Sequence, residues 1–92
     1  MRDFETVSYF YKRELEISRE AKNPEGQAKA LTGLGFCEEQ VHNMEQAMKY
    51  HEMALERAAD ANKKGVIREI SKQLVRVYKN IAEERQEKED FD

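Results

Sequence analysis

The sequence repeats itself at an interval of 40 residues. The segment Asp3-Phe4-Glu5 returns as Asn43-Met44-Glu45, and the residues that follow recur in step. A chain that repeats at a fixed interval of this size forms a stack of similar units rather than one closed core. The pattern therefore predicts an interaction scaffold in preference to an enzyme. The corresponding positions are Phe4, Val7, Tyr11, Leu15 and Ala21 with Met44, Ala47, His51, Leu55 and Ala61, and Leu34 and Cys37 with Leu74 and Val77.

Apolar residues within each copy recur at intervals of three and four, which is the spacing of one face of a helix. Between Phe4 and Leu15 they form such a face, and the same spacing continues along the rest of the chain. The pattern predicts an all-α fold of about four helices. The expected segments are one helix over 3–22, a complete two-helix unit over 24–63, and a long helix over 65–89.

Helix boundaries can be placed from the residues that favour helix ends. In Asn23-Pro24, asparagine suits the cap of a helix and proline suits its first turn. His42 interrupts the apolar spacing, so the unit over 24–63 is expected to turn there. Asn43 with Gln46 three positions later resembles a capping box, which would open the third helix.

The composition favours exposed amphipathic helices, since 38% of the residues are charged and there is one proline. The net charge of −3 is too small to hold the protein on a nucleic acid or an anionic membrane. No apolar run approaches the length of about 20 residues that a membrane span needs. A single cysteine, Cys37, cannot form an internal disulfide, which fits a reducing compartment. We therefore expect a cytoplasmic protein without nucleic-acid or membrane partners.

Few residues could carry catalysis or bind a metal ion. His42 lies at a turn and His51 lies on an apolar stripe, and neither stands at metal-ligand spacing from a second ligand. Glu38 and Glu39 lie in a polar stretch of the sequence, where nothing indicates a catalytic pair. We expect neither an enzyme nor a bound metal ion or cofactor.

Six residues stand at the spacing of a known helical repeat: Leu31, Leu34, Gly35, Ala47, His51 and Ala54. With these residues the chain resembles a tetratricopeptide repeat, in which His51 takes the usual aromatic position. Glycine inside a helix costs about 1 kcal/mol relative to alanine. Gly35 therefore indicates a close approach, and we expect Ala47 to be the residue that it admits. The resemblance implies antiparallel helix hairpins stacked into a right-handed α-solenoid.

The chain departs from the family pattern at Glu38, Ala59 and Leu74-Val75, where the family has tyrosine, proline and Leu-Gly. Its interval of 40 residues resembles the longer-helix subtype of cell-polarity, cytoskeletal and ciliary scaffolds. Asp90-Phe91 looks like the start of a third unit, so we interpret the chain as a piece of a longer array. An ordinary four-helix bundle would give much the same apolar spacing and stays open as an alternative.

The resemblance also implies a binding groove, because the first helix of each unit lines a concave surface in that family. Lys72, Arg76 and Lys79 share one face of the fourth helix, and three cations there would favour an acidic peptide or partner helix. The alternative is that this face is simply exposed to solvent. Phe36 is expected to point away from the core, where it could contact a ligand. Alternatively, its side chain could pack against the next helix. By position the groove residues are Lys29, Thr32, Phe36, Glu39 and Gln40, with equivalents at Glu69, Lys72, Arg76, Lys79 and Asn80.

Self-association is the second function that the sequence favours. The stripe of Phe4, Phe10 and Ile17 and the residues Tyr78 and Ala82 are expected to be exposed on the end helices. Exposed apolar surface of this kind would let copies of the chain pair or exchange helices.

Overall fold

The computed structural model describes the chain from residue 3 to residue 90, and its side chains from residue 3 to residue 87. Every regular element in this range is an α-helix, which confirms the predicted class, and the fourth helix is the longest, as expected. Phe91, the suggested start of a third unit, lies outside the described residues. The helices are α1 (Phe4–Glu20), α2 (Pro24–Gln40), α3 (Met44–Asp60) and α4 (Lys64–Asp90).

The three turns between the helices have the same backbone conformation, repeated every 20 residues. Lys22, His42 and Asn62 have left-handed φ values of 53°, 62° and 55°. After α1, the amide of Asn23 donates to the carbonyl of Ser18 at 2.9 Å, and the later turns form equivalent bonds. This is the Schellman ending of a helix, which usually has glycine at the left-handed position. The chain therefore turns at regular intervals without glycine.

The caps follow the sequence prediction at one helix and not at another. The side chain of Asn23 accepts a hydrogen bond from the amide of Gly26 at 3.1 Å, as expected. The side chain of Asn43 forms no such bond, so the predicted capping box with Gln46 is wrong. Asp3 caps α1 by accepting from the amide of Thr6 at 3.1 Å. This bond and a second one from the Thr6 hydroxyl lower the pKa of Asp3, the hydroxyl having the larger effect.

Consecutive helices pack against each other, so that α2 lies between α1 and α3, and α3 lies between α2 and α4. Because α2 is covered on two sides, it is apolar around much of its circumference. A closed four-helix bundle brings the first and fourth helices into contact, whereas α1 and α4 share no extensive contact over the described residues. The core cluster comprises Leu15, Ala28, Ala30, Leu31, Leu34, Ala54, Ala58, Ile70 and Leu74.

Two glycines of α2 admit aromatic rings from its two neighbours. A Cβ atom at Gly35 would lie 2.6 Å from Cε1 of His51 in α3, and a Cβ atom at Gly33 would collide with the ring of Tyr11 in α1. The residue that Gly35 admits is thus His51, one helical turn after the expected Ala47. Gly33 has the same explanation on the other side of the helix. Helix α2 therefore packs closely against α1 at Gly33 and against α3 at Gly35.

Among the described helices, none has the combination of length and apolar composition that a membrane crossing would need.

Candidate binding surface

A buried carboxylate joins three of the four helices. Glu39 of α2 is 8% exposed, and it accepts hydrogen bonds from Arg76 of α4 at 2.8 Å (Nη2–Oε1) and 3.1 Å (Nε–Oε1). Its other oxygen lies 3.0 Å from Nη2 of Arg76 and 3.0 Å from Nε2 of His51 in α3. A guanidinium bound in this forked manner fixes both position and orientation. The cluster therefore holds α2, α3 and α4 in a defined arrangement.

His51 is the most enclosed member of this cluster. Its side chain is fully buried, and the carboxylate at Nε2 assigns a proton to that nitrogen. The other ring nitrogen, Nδ1, has no hydrogen-bond partner among the described residues. A carboxylate beside a histidine can act as a catalytic pair, but this ring lies beneath Gly35 and out of reach of a substrate. The buried ring and the carboxylate thus form part of the packing between α2, α3 and α4.

The structure corrects the expected role of Glu39. The resemblance to tetratricopeptide repeats implied that Glu39 lines the groove, whereas it is buried and its carboxylate is bound by Arg76 and His51. The sequence contained one signal for this cluster. A histidine on an apolar stripe needs an acceptor for its ring N–H, and an acidic residue on the neighbouring helix is the simplest one.

The cluster marks one end of a surface that α2 and α4 form together. At the other end lies an open cavity of about 420 Å³ with mainly apolar walls. Residues from the first half of α2 and from the start of α4 line the cavity together, and Glu39 near the end of α2 meets Arg76 near the middle of α4, so the two helices run in the same direction. The cavity is lined by Lys29, Thr32, Gly65, Val66, Glu69, Ile70 and Gln73.

The predicted groove residues of α2 occupy different positions along this surface. Lys29 and Thr32 line the cavity, and the Thr32 hydroxyl donates to the carbonyl of Ala28 at 2.8 Å. Phe36 is 45% exposed and lies one helical turn after Thr32. Gln40 is exposed one turn further on. These residues follow one face of α2, and Glu39 at its edge is the one member that turns inward.

The three predicted cations of α4 are not equivalent. Arg76 is bound to Glu39, which leaves its outer edge in solvent with 54% of the side chain exposed. Lys72 lies 3.7 Å from Glu69 on its own helix, and both side chains are 68% exposed. Such an exposed pair contributes little and is easily exchanged for another partner. Lys79 has no ion pair within residues 3–87. Lys29, Lys72 and Lys79 are therefore the exposed lysines among the predicted groove residues.

Over the described residues, no group of three or more histidine, cysteine, aspartate or glutamate side chains stands close enough together to hold a metal ion. Comparison with protein-family models, with curated proteins and with solved structures finds no match to the chain.

Proposed function

We propose that this chain is a tetratricopeptide-like repeat segment that binds a peptide or helix of another protein on the surface shared by α2 and α4. The observation that carries the proposal is the open, mainly apolar cavity between Thr32 and Ile70, with Phe36 exposed one helical turn after Thr32. Helices α2 and α4 are linked at Glu39 and Arg76, and nearer their starts they line an open cavity that a side chain can enter. A cavity with apolar walls and a few polar groups at its edge is the usual form of a ligand site.

Charge favours an acidic ligand. Lys29 lines the cavity, Lys72 lies 3.7 Å from the lining residue Glu69, and Lys79 follows Lys72 two helical turns later on α4. Glu69 is the opposing charge beside the cavity, and Glu39 is neutralised by Arg76. A peptide with one or two apolar anchors and several carboxylates would match this surface, because complementary charge supplies orientation and association rate.

The proposed role is that of a scaffold rather than an enzyme. Regular turns and the row of helices suit a module that presents one long face. A reducing compartment such as the cytoplasm suits the buried free thiol of Cys37. The resemblance to the longer-helix subtype supports a place in a polarity, cytoskeletal or ciliary assembly.

Selection of binders from a displayed library of short random peptides, with the purified chain as bait, tests the proposal. We expect enriched peptides to combine carboxylates with an aromatic or aliphatic anchor. Their affinity, measured by fluorescence anisotropy, should fall about ten-fold in Lys72→Glu/Lys79→Glu, a loss of about 1.4 kcal/mol. Arg76→Glu is unsuitable for this purpose, because it would break the buried cluster around Glu39.

A control variant with the same change of net charge distinguishes the effect of the groove lysines from the effect of the overall charge. Lys12→Glu/Lys49→Glu makes the same change of charge on α1 and α3, and both side chains are exposed. We expect it to bind the selected peptides nearly as tightly as the wild type. Failure to enrich any peptide, or equal weakening by both double variants, would contradict the proposal.

Phe36 gives a second, charge-independent test. Phe36→Ala removes the exposed ring beside the cavity, whereas Val41→Ala removes an apolar side chain of similar exposure (57%) at the end of α2. Aromatic residues carry a large share of the energy at binding surfaces. Peptide affinity should therefore fall in Phe36→Ala and stay unchanged in Val41→Ala.

A further inference from the structure

Helix α1 carries an exposed apolar stripe. Phe10 and Ile17 are 61% and 54% exposed, and Val7 is 39% exposed. Tyr9 packs edge-on against Phe10 with ring centroids 5.9 Å apart, which makes the aromatic surface continuous. Phe4 is not part of this exposed surface, because it is half-buried beside α2. A stripe of large apolar side chains in water favours association with another molecule.

Helix α4 also has a side that no other helix covers over residues 3–87. Val75 and Tyr78 are 56% and 44% exposed there, and Ala82 is exposed one turn further along. The Tyr78 hydroxyl donates to Glu52 of α3 at 2.9 Å, which fixes the ring and raises the pKa of the phenol. The two end helices thus each present apolar side chains to solvent.

The 40-residue repeat relates the free side of α1 to a packed side of α3. Val7 and Phe10 correspond to Ala47, which is fully buried, and to Tyr50, which packs against the core cluster. Ile17 corresponds to Arg57, which lies beside Leu31 of α2. The positions that α1 exposes are therefore those at which α3 is covered by α2.

The free side of α4 has the complementary relationship. Leu31 and Gly35 of α2 face α3, and their equivalents in α4 are Ser71 and Val75. Among the described residues, one side of α4 thus carries the positions that in α2 receive α3. One side of α1 carries the positions that in α3 contact α2, and these positions are exposed in α1.

The side chains at these positions are compatible with such packing. The ring of His51 turns back towards α2, and Gly35 is the glycine that admits it. The ring of Tyr11, which is the equivalent of His51, instead turns forward onto Gly33. A helix packed against the free side of α1 would therefore need no glycine opposite Tyr11. Val75, the equivalent of Gly35, is compatible with that position.

We propose that copies of this chain associate head to tail, with α4 of one copy packing against α1 of the next as α2 packs against α3 within the chain. Such an interface joins two different surfaces, so it repeats from copy to copy and does not close at a dimer. The proposal is independent of the peptide-binding function, because the two surfaces share no residue.

Blocking each surface separately tests this arrangement. Phe10→Glu/Ile17→Glu blocks the α1 side and Val75→Glu/Ala82→Glu blocks the α4 side, and all four positions are exposed. By light scattering over a dilution series, the wild type should pass from monomer to species larger than a dimer as its concentration rises. Each blocked variant should remain a monomer. Met53→Glu, an exposed position on α3 (41%), is the matched control and should behave as the wild type.

Mixing the two blocked variants gives the decisive readout. One variant retains an intact α4 side and the other an intact α1 side, so the mixture should form a one-to-one complex and nothing larger. Lysine substitutions at the same positions provide a second pair of blocks, and circular dichroism verifies that each variant is helical. The proposal is overturned if the wild type is monomeric at every concentration. It is equally overturned if mixing produces no complex, or if the α4-blocked variant still dimerises, which would indicate symmetric pairing through α1.

Discussion

Arg76 of α4 holds the carboxylate of Glu39 in α2 with three hydrogen bonds of 2.8–3.1 Å. The two residues are 37 positions apart, and they connect helices that are not consecutive in the chain. The contact lies at one end of the proposed groove, and it fixes the distance between the helices that form the groove walls. It is thus both a structural link and a determinant of the binding surface.

Removing Arg76 should destabilise the fold. Arg76→Ala leaves the buried Glu39 carboxylate with His51 as its remaining partner, and we expect a loss of about 1–3 kcal/mol in the free energy of unfolding. Urea denaturation at neutral pH measures it. Arg85→Ala is the control, since its contact with Glu45 is long (3.9 Å) and exposed, and it should cost less than about 1 kcal/mol. Equal effects of the two substitutions would contradict the structural role of Arg76.

Gly35 should not accept a side chain. The Cβ atom of Gly35→Ala would lie 2.6–2.8 Å from the His51 ring, and overpacking of this kind costs about 1–3 kcal/mol. Gly65→Ala is the matched control, because nothing lies within 4 Å of a Cβ atom there, and it should stabilise the protein by about 0.4–1 kcal/mol. Thermal unfolding measures both. Opposite signs are expected, and two stabilising substitutions would contradict the close approach of His51.

Glycine at a left-handed turn position should stabilise the chain. His42 has a φ of 62°, a conformation that costs a residue with a side chain about 1–2 kcal/mol. His42→Gly should therefore raise the free energy of unfolding by about 0.5–1 kcal/mol after the larger entropy of the unfolded glycine is deducted. The neighbouring Val41→Gly, at a φ of −99°, should lower it. Chemical denaturation of the two variants compares them directly.

Acid should weaken the start of α1 through its cap. The hydrogen bonds from Thr6 lower the pKa of Asp3 from the ordinary value of 3.8. The resulting stabilisation is present above pH 3.8 and is lost as the pH falls through the lower, folded-state pKa. Asp3→Asn keeps an acceptor without the charge. The helical signal of the wild type should therefore decline more than that of Asp3→Asn over this acidic range, and parallel declines would contradict the role of the cap.

The sequence predicted the number, type and approximate extent of the helices. Apolar spacing repeats through all four of them, and the Asn23-Pro24 pair marks one boundary unambiguously. These signals are local, so they can be interpreted without knowing which helices are neighbours. The turn residues Lys22 and His42 gave no such signal, since left-handed turns are normally recognised by glycine.

The site was less predictable because it depends on contacts between distant segments. Lys29, Thr32 and Phe36 could be placed on one face of α2 by spacing. Glu39 is only three residues beyond Phe36, yet it is buried, because His51 and Arg76 approach it from two other helices. Helical spacing predicts a direction for a side chain and does not reveal a partner 37 positions away.

Nuclear magnetic resonance can test directly whether a selected peptide binds on the surface shared by α2 and α4. An isotope-labelled sample is titrated with the tightest peptide, and the amide shifts are followed residue by residue. We expect the largest changes along α2 and α4 together, around Lys29, Thr32, Phe36 and Lys72. Changes confined to α1, or spread evenly over the chain without saturation, would contradict this expectation.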